Sequence, residues 1–492
     1  MPKPILISIK HIKIQIKRKT IFLISNQTTN LNKPNLTMKE MNQSVGKYRW
    51  TICGLLFFAT TVNYLDRQVL SLLAPKLSEE FNWSNSDYAN ITAVFQFIYA
   101  ISMLFAGRII DKLGTKKGYI LAITVWSLGA IMHAYSLPVG TAFSTFMVWI
   151  GVGAVPVSIA GFMLSRAVLG FGESGNFPAA IKAVAEYFPK KERSLATGIF
   201  NSGSNVGAIL APLTVPIIAE LYGWEFAFIL VGIIGFIWVI FWFVFYEIPS
   251  KQKRLTKAEY DYINEDEEIE VVSDTKEEKV AWFKLLGYKQ TWAFVFGKFM
   301  TDGIWWFFLF WLPKYLEAQF DMKGTDIVLP LAVLYSMTMV GSIFGGWFPM
   351  YFINKGYTAY DGRLKAMFFI ALFPLVVLLA QPLGYISFWI PVLLIGVGAS
   401  AHQAWSANIF TTVSDMFPKK AIGSIIGIGG MAGGIGGVLV SKLGGYLFDY
   451  YEDQGHVQTG YTIMFVLCAV AYLIAWSVIK TLVPKYNPIK DL

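Results

Sequence analysis

The sequence predicts an all-α membrane protein whose twelve transmembrane helices form two pseudo-symmetric six-helix bundles. The first observation is composition: of 492 residues, 55% are hydrophobic, 16% aromatic and only 15% charged, too apolar for a soluble chain of this length. The second is segmentation. Apolar windows of about 20 residues, the length that crosses a roughly 30 Å hydrocarbon core, recur about twelve times between short polar interruptions. The third is a mixed-charge stretch at 248–290 that divides the spans six and six, with sequence that repeats across it.

The candidate spans run over 50–74, 88–108, 118–137, 158–186, 194–219 and 224–247 before that stretch, and over 291–316, 327–350, 364–381, 385–410, 422–448 and 459–483 after it. Lys and Arg crowd alternate connections: Arg108, Lys112, Lys116 and Lys117, then Lys190, Lys191 and Arg193, the 250s, Lys355, Arg363 and Lys365, Lys419 and Lys420, and finally Lys480, Lys485 and Lys490. The opposite connections hold chiefly Lys76, Lys314 and Lys323. The positive-inside rule then places both termini in the cytoplasm. The segment 248–290, with Glu265 to Glu268, reads as a cytoplasmic linker carrying short amphipathic helices.

The formal charge of +9 does not indicate a nucleic-acid partner, because residues 1–49 hold ten Lys or Arg and one Glu, while the remaining 31 basic and 31 acidic residues balance. This leader alternates Ile with Lys from Ile9 to Lys17 and lacks the apolar run and cleavage site of a signal peptide. It reads either as a disordered extension over 1–47, as a start misassigned upstream of Met38 or Met41, or as a polybasic arm for anionic lipid. Cys53 and Cys468 lie in apolar spans and imply packing rather than a disulfide or a metal site.

Phe188-Pro189-Lys190-Lys191 returns as Phe417-Pro418-Lys419-Lys420, and at the same offset Gly198 and Gly207 match Gly427 and Gly436. Duplication gives two parallel halves, 48–247 and 291–484, with a C-terminal tail at 485–492. A central site at their interface suits alternating access by rocking of one half against the other. The glycines from Gly423 to Gly437 give the eleventh span small surfaces for close helix contact, which static packing would use equally well.

Charges inside the spans point to function, because ionised groups at bilayer depth cost roughly 2.5–3.5 kcal/mol each on insertion scales. Asn63, Asp66 and Arg67 share one helical face, and Arg166 and Glu173 lie two turns apart, roughly 10 Å along one face of another helix. Arginine suits a substrate carboxylate, since its planar fork binds in a bidentate manner and stays charged. The reading is that Arg67 holds the carboxylate, Asp66 and Glu173 carry protons, and Arg166 tunes Glu173; fixed ion pairs between helices are the structural alternative. In the second half, Lys298 and Asp302 are either an intrahelical pair or a cavity group. His402, which falls opposite Glu173 at the repeat offset, Gln403 and Asn408 are polar groups of the tenth span; Trp305, Trp306 and Trp405 stack on a sugar ring or pack in the core.

The connection Gly107-Arg108-Ile109-Ile110-Asp111-Lys112-Leu113-Gly114-Thr115-Lys116-Lys117 resembles the cytoplasmic signature of the major facilitator superfamily. In that signature glycine permits close helix contact and the charges, here Arg108, Asp111 and Lys116 with Gly107 and Gly114, form a gating network. Its second-half counterpart is eroded to Gly345-Gly346-Trp347 through Asn354-Lys355-Gly356. Asn63-Tyr64-Leu65-Asp66-Arg67, Arg166 through Gly172-Glu173-Ser174-Gly175-Asn176-Phe177-Pro178-Ala179-Ala180, Phe200-Asn201-Ser202-Gly203-Ser204-Asn205, and Trp305-Trp306 with Trp311-Leu312-Pro313-Lys314-Tyr315-Leu316 resemble the anion:cation symporter family, hexuronate-transporter branch. The resemblance implies a proton-coupled importer of a sugar acid such as glucuronate or galacturonate, acting as a monomer in a bacterial inner membrane without a cofactor. It adds Tyr64, Tyr99 and Asn201 to the substrate-binding set. The leader and an apolar segment at 138–157 depart from the family; the latter is expected to add a hairpin or re-entrant piece.

Another organic monoanion such as an aldonate, or sodium in place of the proton, fits the same charges. A multispan enzyme needs clustered ligands or an activated nucleophile, whereas His11, His133, His402 and His456 are scattered. No phosphate loop for ATP-driven transport occurs, and a sensor would carry a soluble domain for which linker and tails are too short.

Overall fold

The computed structural model describes residues 46–151, 153–265 and 282–489; the leader through residue 45, the linker acids from Asp266 and the last three residues lie outside them. The first half contains α1 (Tyr48–Phe81), α2 (Asn85–Leu113), α3 (Thr115–Ala134), α4 (Ser136–Trp149), α5 (Val157–Glu173), α6 (Asn176–Tyr187), α7 (Lys190–Tyr222) and α8 (Trp224–Phe245). A short linker helix, α9 (Lys257–Ile263), follows. The second half contains α10 (Lys289–Phe320), α11 (Val328–Ile353), α12 (Ala359–Leu372), α13 (Trp389–Met416), α14 (Lys419–Glu452) and α15 (Val457–Leu482). No strand occurs among the described residues.

Eight helices are long and apolar enough to cross a membrane on length and composition alone. The spans that fall short are α1, which carries Asp66 and Arg67, the α5–α6 pair, which carries Arg166 and Glu173, and α13, which carries His402, Gln403 and Asn408, together with α3. Three boundaries depart from the expected spans. The fourth is broken at Ser174–Gly175 into α5 and α6, and the ninth passes through a tighter turn at Phe373–Leu379, where Pro374 withholds a backbone donor. The segment expected to add a hairpin or re-entrant piece forms α4, bent 99° from α3. Gly140 and Gly161 let α4 and α5 cross at backbone contact: a Cβ on Gly140 would fall on the Val157 carbonyl oxygen, and one on Gly161 on that of Ser136.

The linker end, where α8 leaves and α10 begins, differs from the far end, where α1 meets α2. The linker helix α9 docks on the first half through buried Glu259, which accepts the Arg49 backbone N–H at 3.0 Å, while the Arg49 side chain pairs with Glu192 at 2.9 Å.

The halves meet chiefly where α2 packs along α14, with α1 against α10 and α7 against α11 beside them. Small residues set the α2–α14 contact: Cβ atoms on Gly445, Gly437, Gly434 and Gly430 would press on Ala89, Gln96, Ala100 and Met103 in turn. Continuing toward the linker end, Gly427 and Gly107 have nothing within 4 Å of an added Cβ. The helices therefore touch over their far portions and part toward the linker end. Far-end ties reinforce this: Asp449 accepts the backbone N–H groups of Asn85 and Ser86 at 2.7 and 2.8 Å, Glu452 accepts the Asn85 amide at 2.7 Å, and Lys314 donates to Asn85 Oδ1 at 3.1 Å. Deeper in, Tyr88 donates to the Phe310 carbonyl at 2.6 Å and Gln96 to Ser441 at 3.0 Å.

Candidate functional site

Arg67 lies midway along α1, and Glu173 is the last residue of α5, where the helix breaks. Close approach of α5 to α2 depends on Gly170, where a Cβ would sit 2.8 Å from the Phe95 carbonyl oxygen. The pairing crosses between helices: Arg67 Nε and Nη2 both donate to Glu173 Oε2, at 3.0 and 2.7 Å, and Nη2 also reaches Asn63 Oδ1 at 3.5 Å. Four rings surround the guanidinium, with centroids 4.8 Å (Tyr64), 5.4 Å (Phe95), 5.0 Å (Tyr99) and 5.1 Å (Trp306) from Cζ. Trp306 belongs to α10, so the cage is closed by the second half. Such cation–π contacts strengthen once water is excluded, and both partners are nearly inaccessible, with side chains 5% and 0% exposed.

Arg166, read from the sequence as tuning Glu173, forms no ion pair with it among the described residues. It is fully buried, donates from Nη2 to the Arg67 carbonyl at 3.4 Å, and faces the Phe95 ring at 5.4 Å. Its Nε and Nη1, Asp66 Oδ2, Glu173 Oε1, Asn63 Nδ2 and the side-chain amide of Gln68 have no hydrogen-bond partner among the described residues. Buried polar atoms are rarely left unpaired. Their concentration here marks a place built for something besides static packing.

In the second half Lys298 Nζ pairs with Asp302 Oδ2 at 2.6 Å and lies 4.2 Å from the Phe410 ring centroid. His402 is turned into its own half, bonded to the Tyr472 hydroxyl at 2.9 Å and stacked on Trp305 with centroids 5.1 Å apart. Asn408 donates to the Gly345 and Ala404 carbonyls, both at 2.8 Å, fastening α13 to α11. Trp405 packs on Tyr472 in the core. Gln403 is half-buried, and Asn201 is exposed on α7. Phe95, which faces both arginines, carried no sequence signal beyond being one of many aromatics; Trp306 was visible only inside a motif.

The signature between α2 and α3 forms ties within the first half: Asp111 pairs with Lys182 at 3.1 Å and Lys116 with Glu247 at 2.9 Å. Lys116 holds the Glu247 carboxyl below its ordinary value. Gly114 turns the chain at φ 77°, which only glycine adopts readily. Close contact of α2 with α3 is made by Gly118 against Ile110, while Gly107 faces open space and Arg108 is exposed.

Membrane-crossing helices in two halves, tied together at one end, with a buried ion pair between α1 and α5 midway, define a membrane transporter. The chain belongs to the major facilitator superfamily, whose pattern it matches over residues 56–441, a family of transporters and not of enzymes. It is 29% identical to the hexuronate transporter of Escherichia coli strain K12 over 438 residues, 88% of this chain and 94% of that one. It is 31% identical to the galacturonate transporter of Dickeya chrysanthemi over 304 residues, 62% of this chain and 82% of that one. In fold it is similar to a D-xylose-proton symporter, with a TM-score of 0.65 at 15% identity, covering 90% of this chain and all of the other.

Proposed function

We propose that the protein is a proton-coupled symporter that imports a hexuronate such as glucuronate or galacturonate by alternating access. One observation carries this reading: Arg67 places two donors on a single oxygen of Glu173, leaving Glu173 Oε1 without a bond. Glu173 takes the place on Arg67 that a substrate carboxylate would take. An arriving carboxylate competes for the same fork. A carboxylate left without counter-charge at that depth is costly, so release of Glu173 from Arg67 and uptake of a proton go together. The anion enters together with protonation of Glu173, and the charge balance at Arg67 is kept.

Asp66, whose Oδ2 is unbonded, is a second proton carrier beside Arg166, and Tyr64 and Tyr99 flank the sugar. The moving bodies are 48–247 and 291–484, joined by 248–290. With the basic connections in the cytoplasm, the parted linker end faces the cytoplasm and the tied far end the outside of a bacterial inner membrane, and the carrier works as a monomer. The names of the relatives support the sugar-acid class. Because the arginine fork reads only a carboxylate, an aldonate is the second reading, and sodium at Asp66 is the second coupling ion.

The test is uptake by the purified protein in proteoliposomes, using a panel of labelled sugar acids with and without an imposed pH gradient. Accumulation of glucuronate or galacturonate is expected only with the gradient, acid outside. Uptake indifferent to pH but dependent on sodium removes the proton role; uptake of aldonates without hexuronates removes the substrate.

A further inference from the structure

Resting on the sugar-acid reading, we infer that Asp302 is the specificity residue of the second half: its carboxylate, held by Lys298, accepts the hydroxyl groups of the substrate whose carboxylate Arg67 binds. Lys298, Asp302 and Trp306 are four residues apart and form one stripe of α10. The Trp306 ring lies 5.1 Å from the Arg67 guanidinium, so this stripe faces the first half's site. Asp302 is one turn, about 6 Å, from Trp306, a step comparable with the length of a sugar ring. It lies on the linker side, where the halves part.

Asp302 is also the accessible member of its pair. Its side chain is 18% exposed and that of Lys298 only 6%. The lysine engages Oδ2 and leaves Oδ1 for other donors. An isolated carboxylate here would repel an anion, whereas one neutralised by a buried ammonium does not, and it still accepts charge-assisted hydrogen bonds from neighbouring hydroxyls. The eleventh span is shaped for this arrangement: a Cβ on Gly433 would collide with Asp302 Oδ2, and one on Gly437 would come within 2.7 Å of Trp306 Cδ1. These glycines therefore keep open the places of an acid and an aromatic ring, a role beyond helix contact.

The experiment measures inhibition of labelled glucuronate binding to the purified full chain by unlabelled glucuronate and by tetrahydropyran-2-carboxylate, which keeps the ring and carboxylate but has no hydroxyls. Asp302→Asn is expected to lower the preference for glucuronate about tenfold or more, by weakening glucuronate and leaving the hydroxyl-free acid unchanged. The double change Lys298→Met with Asp302→Asn, which strands no buried charge, and Gly433→Ala, which displaces the carboxylate without removing it, are expected to shift the ratio in the same direction. An unchanged ratio in all three, or equal weakening of both ligands, overturns the inference while the sugar-acid reading stands. If the unaltered protein binds no hexuronate, both fall.

Discussion

Asp449, near the end of α14, caps a helix of the opposite half: its two carboxylate oxygens accept the backbone N–H groups of Asn85 and Ser86, the first residues of α2. A helix N-terminus leaves such groups unpaired and favours negative charge. Within α2 the Ser84–Asp87 capping box serves the neighbouring donors, so the first turn is fully satisfied only while the far end is shut. Asp449→Ala is expected to move the population toward far-end opening. Two charge-assisted bonds represent about 1.5–3 kcal/mol each, enough to shift the ratio of states tenfold or more. Spin-label distances between the exposed faces of these helix ends in detergent report the shift; an unaltered distribution would show that Asp449 is no latch.

The two acids of the first half are expected to respond differently to neutralisation. Glu173→Gln strands Arg67 in its aromatic cage, and removing one partner of a buried pair costs roughly 3–5 kcal/mol, offset in part by the four rings. Asp66 has no ion-pair partner among the described residues, and its Oδ2 is unbonded, so Asp66→Asn breaks no pair there. Thermal unfolding followed by tryptophan fluorescence should place Glu173→Gln well below the unaltered protein and Asp66→Asn at or above it. The reverse order is incompatible with the pairing described.

Asn408 reads in the sequence as a cavity group, yet its amide holds two carbonyls. Asn408→Ala is expected to cost about 1–3 kcal/mol by leaving the Gly345 carbonyl without its donor, with KM for the substrate unchanged. A raised KM at unaltered melting temperature would return Asn408 to the binding site.

Glycine substitutions separate packing from mere composition. Gly140→Ala and Gly161→Ala drive a Cβ into backbone of the crossing helix, and overpacking with no flexible side chain to yield costs upward of about 3 kcal/mol. Gly54→Ala on α1 meets open space and is expected to gain about 0.5–1 kcal/mol of helix propensity. Yields of folded protein by size-exclusion chromatography distinguish them, and a well-folded Gly140→Ala protein would contradict the α4–α5 crossing.

The membrane-spanning, all-helical character was legible because apolar length is a one-dimensional property, written along the chain. The common face of Asn63, Asp66 and Arg67 was legible for the same reason, since spacing alone places them there. Which acid Arg67 meets was not. Spacing of seven put Arg166 and Glu173 on one face, but the rotation of α1 against α5 decides that Glu173 faces Arg67. The break after Glu173 falls at Ser174-Gly175-Asn176, inside a stretch read as one span over 158–186 because its apolar length covers both pieces, and the contribution of Trp306 to the cage depends on the second half arriving opposite the first.

Along α14 the two halves bear on each other through glycine, like a shaft running in a plain bearing with no teeth. A methyl group added at Gly434, which meets Ala100, or at Gly445, which meets Ala89, acts as a wedge only in the geometry seen here and is harmless once the bodies tilt apart. Enlarging Gly434 or Gly445, unlike Gly437, which meets Trp306, would therefore yield carriers biased toward the opposite orientation with the chamber's own chemistry left untouched.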